Sequence, residues 1–275
     1  MADVPARRTP QTRRPPRPHY RDTPAPARRI VLAGAVALGV IAVGGCTTTP
    51  PILPDQQPSQ GPTALADPWG QLAGRVAAAR DARYVAAYTL TSKGRPTRTV
   101  TVTIATDGSW LVAIPGGALG GGADVAVANT KAGMYQCALG SPSNCFRTGA
   151  PDSQLSPRID PRVQYLFTDW LRVLTNRDVA ISVALAAPLP GARGQCFSIE
   201  PNSAALAAPV DPGVYCYDER GTLTAAALGL GTFTLASAPA PAPPSVVLPG
   251  PVVPGAPLAT AAPPSPSASP SLSAR

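Results

Sequence analysis

The stretch RYVAAYTLTSKGRPTRTVTVTIATDGSWLVAI, residues 83–114, decides the fold. Within it Val100, Val102 and Ile104 alternate with Thr99, Thr101 and Thr103, so one face is apolar and the other carries hydroxyls. A period of two marks extended chain, in which successive side chains point to opposite faces. Ser92-Lys93-Gly94-Arg95-Pro96 and Asp107-Gly108 divide the stretch into three β-rich runs. Asp-Gly between alternating runs is a hairpin signal, so the segment predicts an antiparallel meander.

Further strand signals follow at residues 124–129, 133–139, 178–186, 195–199, 213–217, 222–226 and 232–236. The run at 178–186 also admits a helical reading, and YDERGTLT at 217–224 reads as a tight turn between two strands. Two segments carry helical spacing instead. The first opens on Asp67-Pro68-Trp69, an N-cap followed by Pro at the first helical position, and places Trp69, Leu72, Val76 and Ala79 on one face. The second opens on Asp160-Pro161, and Val163, Leu166, Phe167, Trp170, Leu171 and Leu174 recur at steps of three and four. Helix, hairpins, helix, hairpins is the order of an α+β fold: a large antiparallel sheet covered by two main helices.

The flanks differ from this centre. Residues 46–66 are rich in Pro, Gln and Thr and read as a linker. Residues 238–275 are almost all Pro, Ala, Ser and Val, a composition that cannot bury a core and predicts a disordered or polyproline-like tail. Every aromatic residue after Tyr20 lies between Trp69 and Phe233, which bounds one folded domain at about residues 67–237.

At the other end, the uncharged run from Ile30 to Gly45 follows eight arginines and ends in Val43-Gly44-Gly45-Cys46. A spanning helix needs about 20 apolar residues; this run is shorter and has the length of the apolar part of an export signal. Small residues before a Cys resemble the bacterial lipobox. That resemblance implies cleavage of residues 1–45, a diacylglycerol on Cys46, and a location on the extracytoplasmic side of the cell membrane. Charge changes with the cut. The chain has 23 Lys+Arg and 15 Asp+Glu; removing 8 Arg and 2 Asp with the leader leaves 15 against 13, a net +2 in place of +8. The basicity that would suggest nucleic acid belongs to the leader, so no nucleic-acid partner is expected.

His19, the only histidine, also lies in the leader. Without imidazole, Ser-His-Asp and Cys-His catalysis are excluded, and the commonest transition-metal ligand is missing. The expectation is a non-enzyme with no metal and no cofactor. Cys137, Cys145, Cys196 and Cys216 remain after Cys46, and four cysteines in an exported chain read as two disulfides. Of the three pairings, Cys137–Cys145 and Cys196–Cys216 are preferred, because each is local and closes a plausible hairpin; no C-x-x-C spacing supports zinc. GGALGGG at 116–122 lacks the Gly-Lys-Ser/Thr ending of a phosphate loop and reads as a flexible loop. Arg75, Arg80 and Arg83, near the end of the first helix, are candidates to touch anionic headgroups or are simply a solvated face.

The order of elements, with CFSIEPN at 196–202 and GVYCYDERGTLTAA at 213–226, resembles exported actinobacterial lipoproteins of the LolA/LppX-like lipoprotein-carrier type. In that family a curved sheet forms an incomplete barrel whose open side is covered by helices, and acyl chains fit between them. The resemblance implies a lining of Tyr88, Leu90, Val100, Val102, Ile104, Trp110, Val112 and Ile114 from the sheet. Leu166, Phe167, Trp170, Leu171 and Leu174 would face them from the helix. It implies a lipid or other hydrophobic ligand, with the membrane reached through the anchor. The alternative is a ligand-free module that binds another envelope protein, with the same residues filling a dry core.

Overall fold

The structure is a computed structural model and describes residues 67–202 and 209–262. The leader, Cys46, the linker and residues 263–275 lie outside the described residues.

Helix α1 spans Pro68–Asp81. Its start is the one the sequence predicts: the Asp67 carboxylate accepts from the Gly70 amide at 2.9 Å, and Leu72 and Val76 are buried. Six strands follow as a meander, β1 Tyr84–Thr91, β2 Arg98–Ile104, β3 Trp110–Ala118, β4 Ala123–Thr130, β5 Gly133–Ala138 and β6 Asn144–Gly149. A second meander contains β7 Ile181–Ala186, β8 Gln195–Pro201, β9 Gly213–Tyr217, β10 Leu223–Leu228 and β11 Gly231–Leu235. The two meanders join where β1 pairs antiparallel with β11, so the strand order is β6-β5-β4-β3-β2-β1-β11-β10-β9-β8-β7. The short β12, Ala240–Pro241, continues along β1 beyond β11. The sheet is antiparallel throughout these named strands and does not close into a barrel; β6 and β7 are its edges.

The register fixes two faces. Ala86, Val102, Val112, Val127 and Gln136 lie opposite one another across five strands and point to the inner side. There they join Phe197, Tyr215 and Phe233 from the second meander, with α1 and residues 163–174, in the main core. The back face carries two smaller clusters, one around Ala126, Ala128, Tyr135, Cys137 and Cys145, the other around Cys196, Cys216 and Ala225. Each contains a disulfide, Cys137–Cys145 and Cys196–Cys216, joining residues directly opposite on neighbouring strands. This is the preferred pairing.

Four expectations are corrected. The stripe at 160–174 is not one helix. Val163–Phe167 is a 3-10 turn, and α2 is only Asp169–Val173. Arg162 has left-handed backbone (φ 64) and Thr168 is non-helical (φ −134, ψ −94), so the chain breaks twice while still burying the same apolar side chains. Strand β6, unread in the sequence, forms because Cys145 is held opposite Cys137. The glycine run is not a free loop: β3 extends to Ala118 and a 3-10 turn at Leu119–Gly121 links it to β4.

The fourth correction concerns residues 238–262, which form a strap along the domain rather than a disordered tail. Past β12, the carbonyls of Pro243 and Pro244 accept from the amides of Thr106 and Asp107. Leu248 packs on the back-face cluster. Val252 pairs parallel with Cys145, covering the β6 edge, with bonds from Cys145 N to Pro251 O and from Val253 N to Cys145 O, both 2.9 Å. The chain then turns to the inner side. The fully buried Gln136 amide donates to Leu258 O (3.0 Å) and Ile159 O (2.9 Å) and accepts from Leu258 N (2.6 Å). Polyproline-like chain makes no internal hydrogen bonds, so its carbonyls are free to accept from a sheet. The folded domain therefore reaches residue 262, not 237.

Candidate functional site

The residues expected to line a lipid cavity all lie on the inner side of the sheet or in the segment that covers it. Tyr88, Leu90, Val100, Val102, Val112, Ile114, Leu166 and Leu174 each expose 2 % or less. Leu90 and Ile114 also back a cleft beside the β1–β2 turn; the other six are closed off from solvent. Those six are packed core, with the Tyr88 and Phe167 rings 4.9 Å apart and tilted at 45°. Trp170 lines an open cavity of about 960 Å³ with Tyr165 and Arg162. The remaining four, Ile104, Trp110, Phe167 and Leu171, meet at the rim of the core and form the floor of a cleft.

This cleft, of about 270 Å³, opens at the end of the sheet where the β2–β3 hairpin turns. Met134 and Leu155 complete its apolar floor. Its rim is polar. Arg80 and Arg83 come from the end of α1, and Arg172 from α2. Arg83 Nη1 turns back on the helix, donating to the Arg80 and Ala82 carbonyls at 2.9 Å, which satisfies acceptors that a helix C-terminus leaves open. Arg172 pairs with Asp169. Asp152 is held by Asn129, whose amide donates to its carboxylate at 2.6 Å and accepts from its backbone N at 3.0 Å. Both carboxylates of the rim are thus engaged, while Arg80 and Arg83 form no ion pair among the described residues. Arg75, the third arginine of the helix, is elsewhere: it donates to the Tyr217 carbonyl at 3.3 Å.

Tyr165 closes one side. Its hydroxyl donates to Asp160 at 2.7 Å. Burial, and then that bond, hold its phenol far above the ordinary tyrosine value, so it is neutral at any physiological pH. The domain holds no imidazole, and the hydroxyls lining the cleft are engaged, Ser153 Oγ donating to Ala150 O (2.7 Å) and Thr168 Oγ1 to Gln164 O (2.9 Å). Among the described residues no three His, Cys, Asp or Glu are grouped to hold a metal, and no helix is long and apolar enough to cross a membrane.

Sequence reasoning pointed to Arg80, Arg83 and four of the floor residues. It missed Asn129, Asp152, Leu155 and Arg172. Asp152 sits at left-handed φ (58°), a conformation that Asp tolerates, in the polar segment GAPDSQ; nothing local in that segment shows that it folds over the β4–β5 hairpin. Compared with known protein families and with curated proteins, the sequence gives no match.

Proposed function

We propose that this chain is a cell-envelope lipoprotein, held to the membrane through a diacylglycerol on Cys46, whose domain binds an anionic amphiphile in the cleft at the β2–β3 end. The observation that carries this reading is the placing of Arg80 and Arg83, without a carboxylate partner among the described residues, above a floor of Trp110, Phe167 and Leu171. Apolar carbon on that floor is favoured by about 0.8 kcal/mol per buried methylene, and the guanidiniums supply charge-assisted bonds to the head. The volume limits the ligand. Small-molecule sites start at roughly 300 Å³, so this cleft takes one short chain or ring.

The test uses the full chain with Cys46→Ala, so that no attached lipid competes, titrated with decanoate and with decanol. Saturable quenching of tryptophan fluorescence by decanoate is expected. Trp110→Phe should abolish the signal, and Arg80→Gln with Arg83→Gln should weaken decanoate about tenfold while leaving decanol unchanged. If the folded protein takes up neither compound, the cleft is not a ligand site. The packed interior then favours the second reading, an interaction module for another envelope protein.

A further inference from the structure

The glycine run at 116–122 has a use that its sequence does not declare. At the other end of the strands from the amphiphile cleft, a second cleft of about 400 Å³ opens. It lies between the β1–β2 turn, the 115–122 connection and the β10–β11 turn. Lys93, Arg95 and Arg98 all line it. Arg95 lies on the glycine connection, its Nη1 donating to Gly116 O (3.2 Å) and its Nη2 to Gly120 O (3.0 Å). Arg98 is fixed beside it, Nη1 to Pro115 O (3.0 Å) and Nη2 to Ser92 Oγ (2.9 Å).

Glycine is what permits this. A Cβ at Gly121 would stand 3.1 Å from Arg95 Nη1, and one at Gly116 would stand 3.2 Å from Arg98 Nη1; both positions have left-handed φ. In a phosphate loop the backbone amides face the anion. Here backbone carbonyls instead hold two guanidiniums at the cleft wall.

The site is incomplete as it stands. Among the described residues none of the three cations forms an ion pair. Arg98 Nε is buried with no acceptor. Two guanidiniums brought together repel: burial first and then Arg95 lower the pKa of Arg98, while the Asp124 carboxylate opposes the shift. The one carboxylate on the cleft wall, Asp160, is already engaged by Arg162 N (2.9 Å), Gln164 Nε2 (2.7 Å) and Tyr165 OH (2.7 Å). Asp124, which accepts from Gly116 N at 2.7 Å, offsets part of this positive charge, and an anion in the cleft would offset more of it.

We propose that this second cleft binds a phosphoryl group, held by Arg95, Arg98 and Lys93. Three cations within residues 93–98, on the β1–β2 turn and the first residue of β2, suit a tetrahedral dianion with several oxygens better than a planar carboxylate, which one arginine already satisfies. The group can belong to free phosphate or to the head of a phospholipid.

The test is titration of the full chain, in detergent and at low salt, with inorganic phosphate, pyrophosphate and a short-chain phosphatidate, followed by calorimetry. Saturable binding that weakens steeply with salt is expected. Arg95→Gln should reduce it about tenfold, and Lys93→Gln, at an exposed turn where folding is not at stake, several-fold. Arg80→Gln with Arg83→Gln, in the other cleft, should leave phosphate and pyrophosphate binding unchanged, which separates this proposal from the amphiphile reading, and phosphatidate is compared in that double variant. Equal affinity for pyrophosphate and phosphatidate assigns the site to free phosphate; a clear preference for phosphatidate assigns it to a headgroup. Absence of saturable binding to all three, or binding unaltered by both Lys93→Gln and Arg95→Gln, overturns the proposal.

Discussion

Tyr88, Tyr215 and Tyr217 expose none of their surface, and each carries a hydroxyl into the apolar interior. Tyr88 donates to Leu223 O at 3.0 Å and Tyr215 to Asp211 O at 2.5 Å, while the Tyr217 hydroxyl has no partner. Burial raises all three phenol pKa values far above the ordinary one, because the phenolate cannot be solvated there. An unfolded tyrosine titrates near 10. With the folded values raised, the native state keeps protons that the unfolded chain loses. Stability is therefore whole below pH ~10 and falls above it, by roughly 4 kcal/mol per pH unit for three such groups. An alkaline titration followed by phenolate absorbance should show these tyrosines silent until a single cooperative step that coincides with loss of secondary structure. Gradual ionisation near pH 10 in a chain still folded would contradict the burial. At this scale the sequence is informative where partners are near: each disulfide closes a hairpin, and the alternation places Tyr88 inward. It is silent on Gln136, a polar residue in an apolar row, because the carbonyls that satisfy it come from Ile159 and from Leu258, more than a hundred residues on.

Elements meet at points of close approach, and one of them is between α1 and the β9–β10 turn. Gly221 has φ +80°, and a Cβ there would lie 2.4 Å from Ala79 N and 2.5 Å from Arg75 O. Gly221→Ala meets both backbone strain and a clash with helix backbone that cannot rotate away. It should cost about 3 kcal/mol or more, read as a lowered urea midpoint; a loss below about 1 kcal/mol would show that α1 does not rest on this turn. Strands were legible because their alternation survives any tertiary setting. The 160–174 stripe shows the limit of that logic. Spacing at three and four says which side chains go inward, and Val163, Leu166, Phe167, Trp170, Leu171 and Leu174 all do. It does not say that one regular helix presents them, and a 3-10 turn followed by a short α-helix presents them equally well. Strand β6 escaped notice because NCFRTG has no run of alternating apolar residues; it is an edge strand held by one disulfide and by the strap.

Across the whole molecule, the strap at 238–262 covers an edge and a face that would otherwise be open. An uncovered edge strand is a template for pairing with other chains. Deleting residues 238–275 should therefore lower the melting temperature and produce concentration-dependent association, measured by circular dichroism and light scattering. An unchanged, monomeric, equally stable domain would restore the view that these residues are only a tail. Composition misleads here because it reports what a segment can bury by itself. The strap buries little; it contributes carbonyls, one leucine on the back and one on the inner side to a surface already formed. The same distance separates the two clefts from their sequence: their arginines are visible, but their neighbours are assembled from several strands and turns. The joining of the meanders has a consequence in time as well. Tyr88 lies opposite Leu235, so the earliest strand to leave a ribosome or a translocation channel waits for almost the latest before it gains its neighbour. Such distant pairing is slow to form. Until then the growing chain holds a half-built sheet with a bare seam at its middle, and a protease or a chaperone that reaches that seam first decides whether the protein is ever completed.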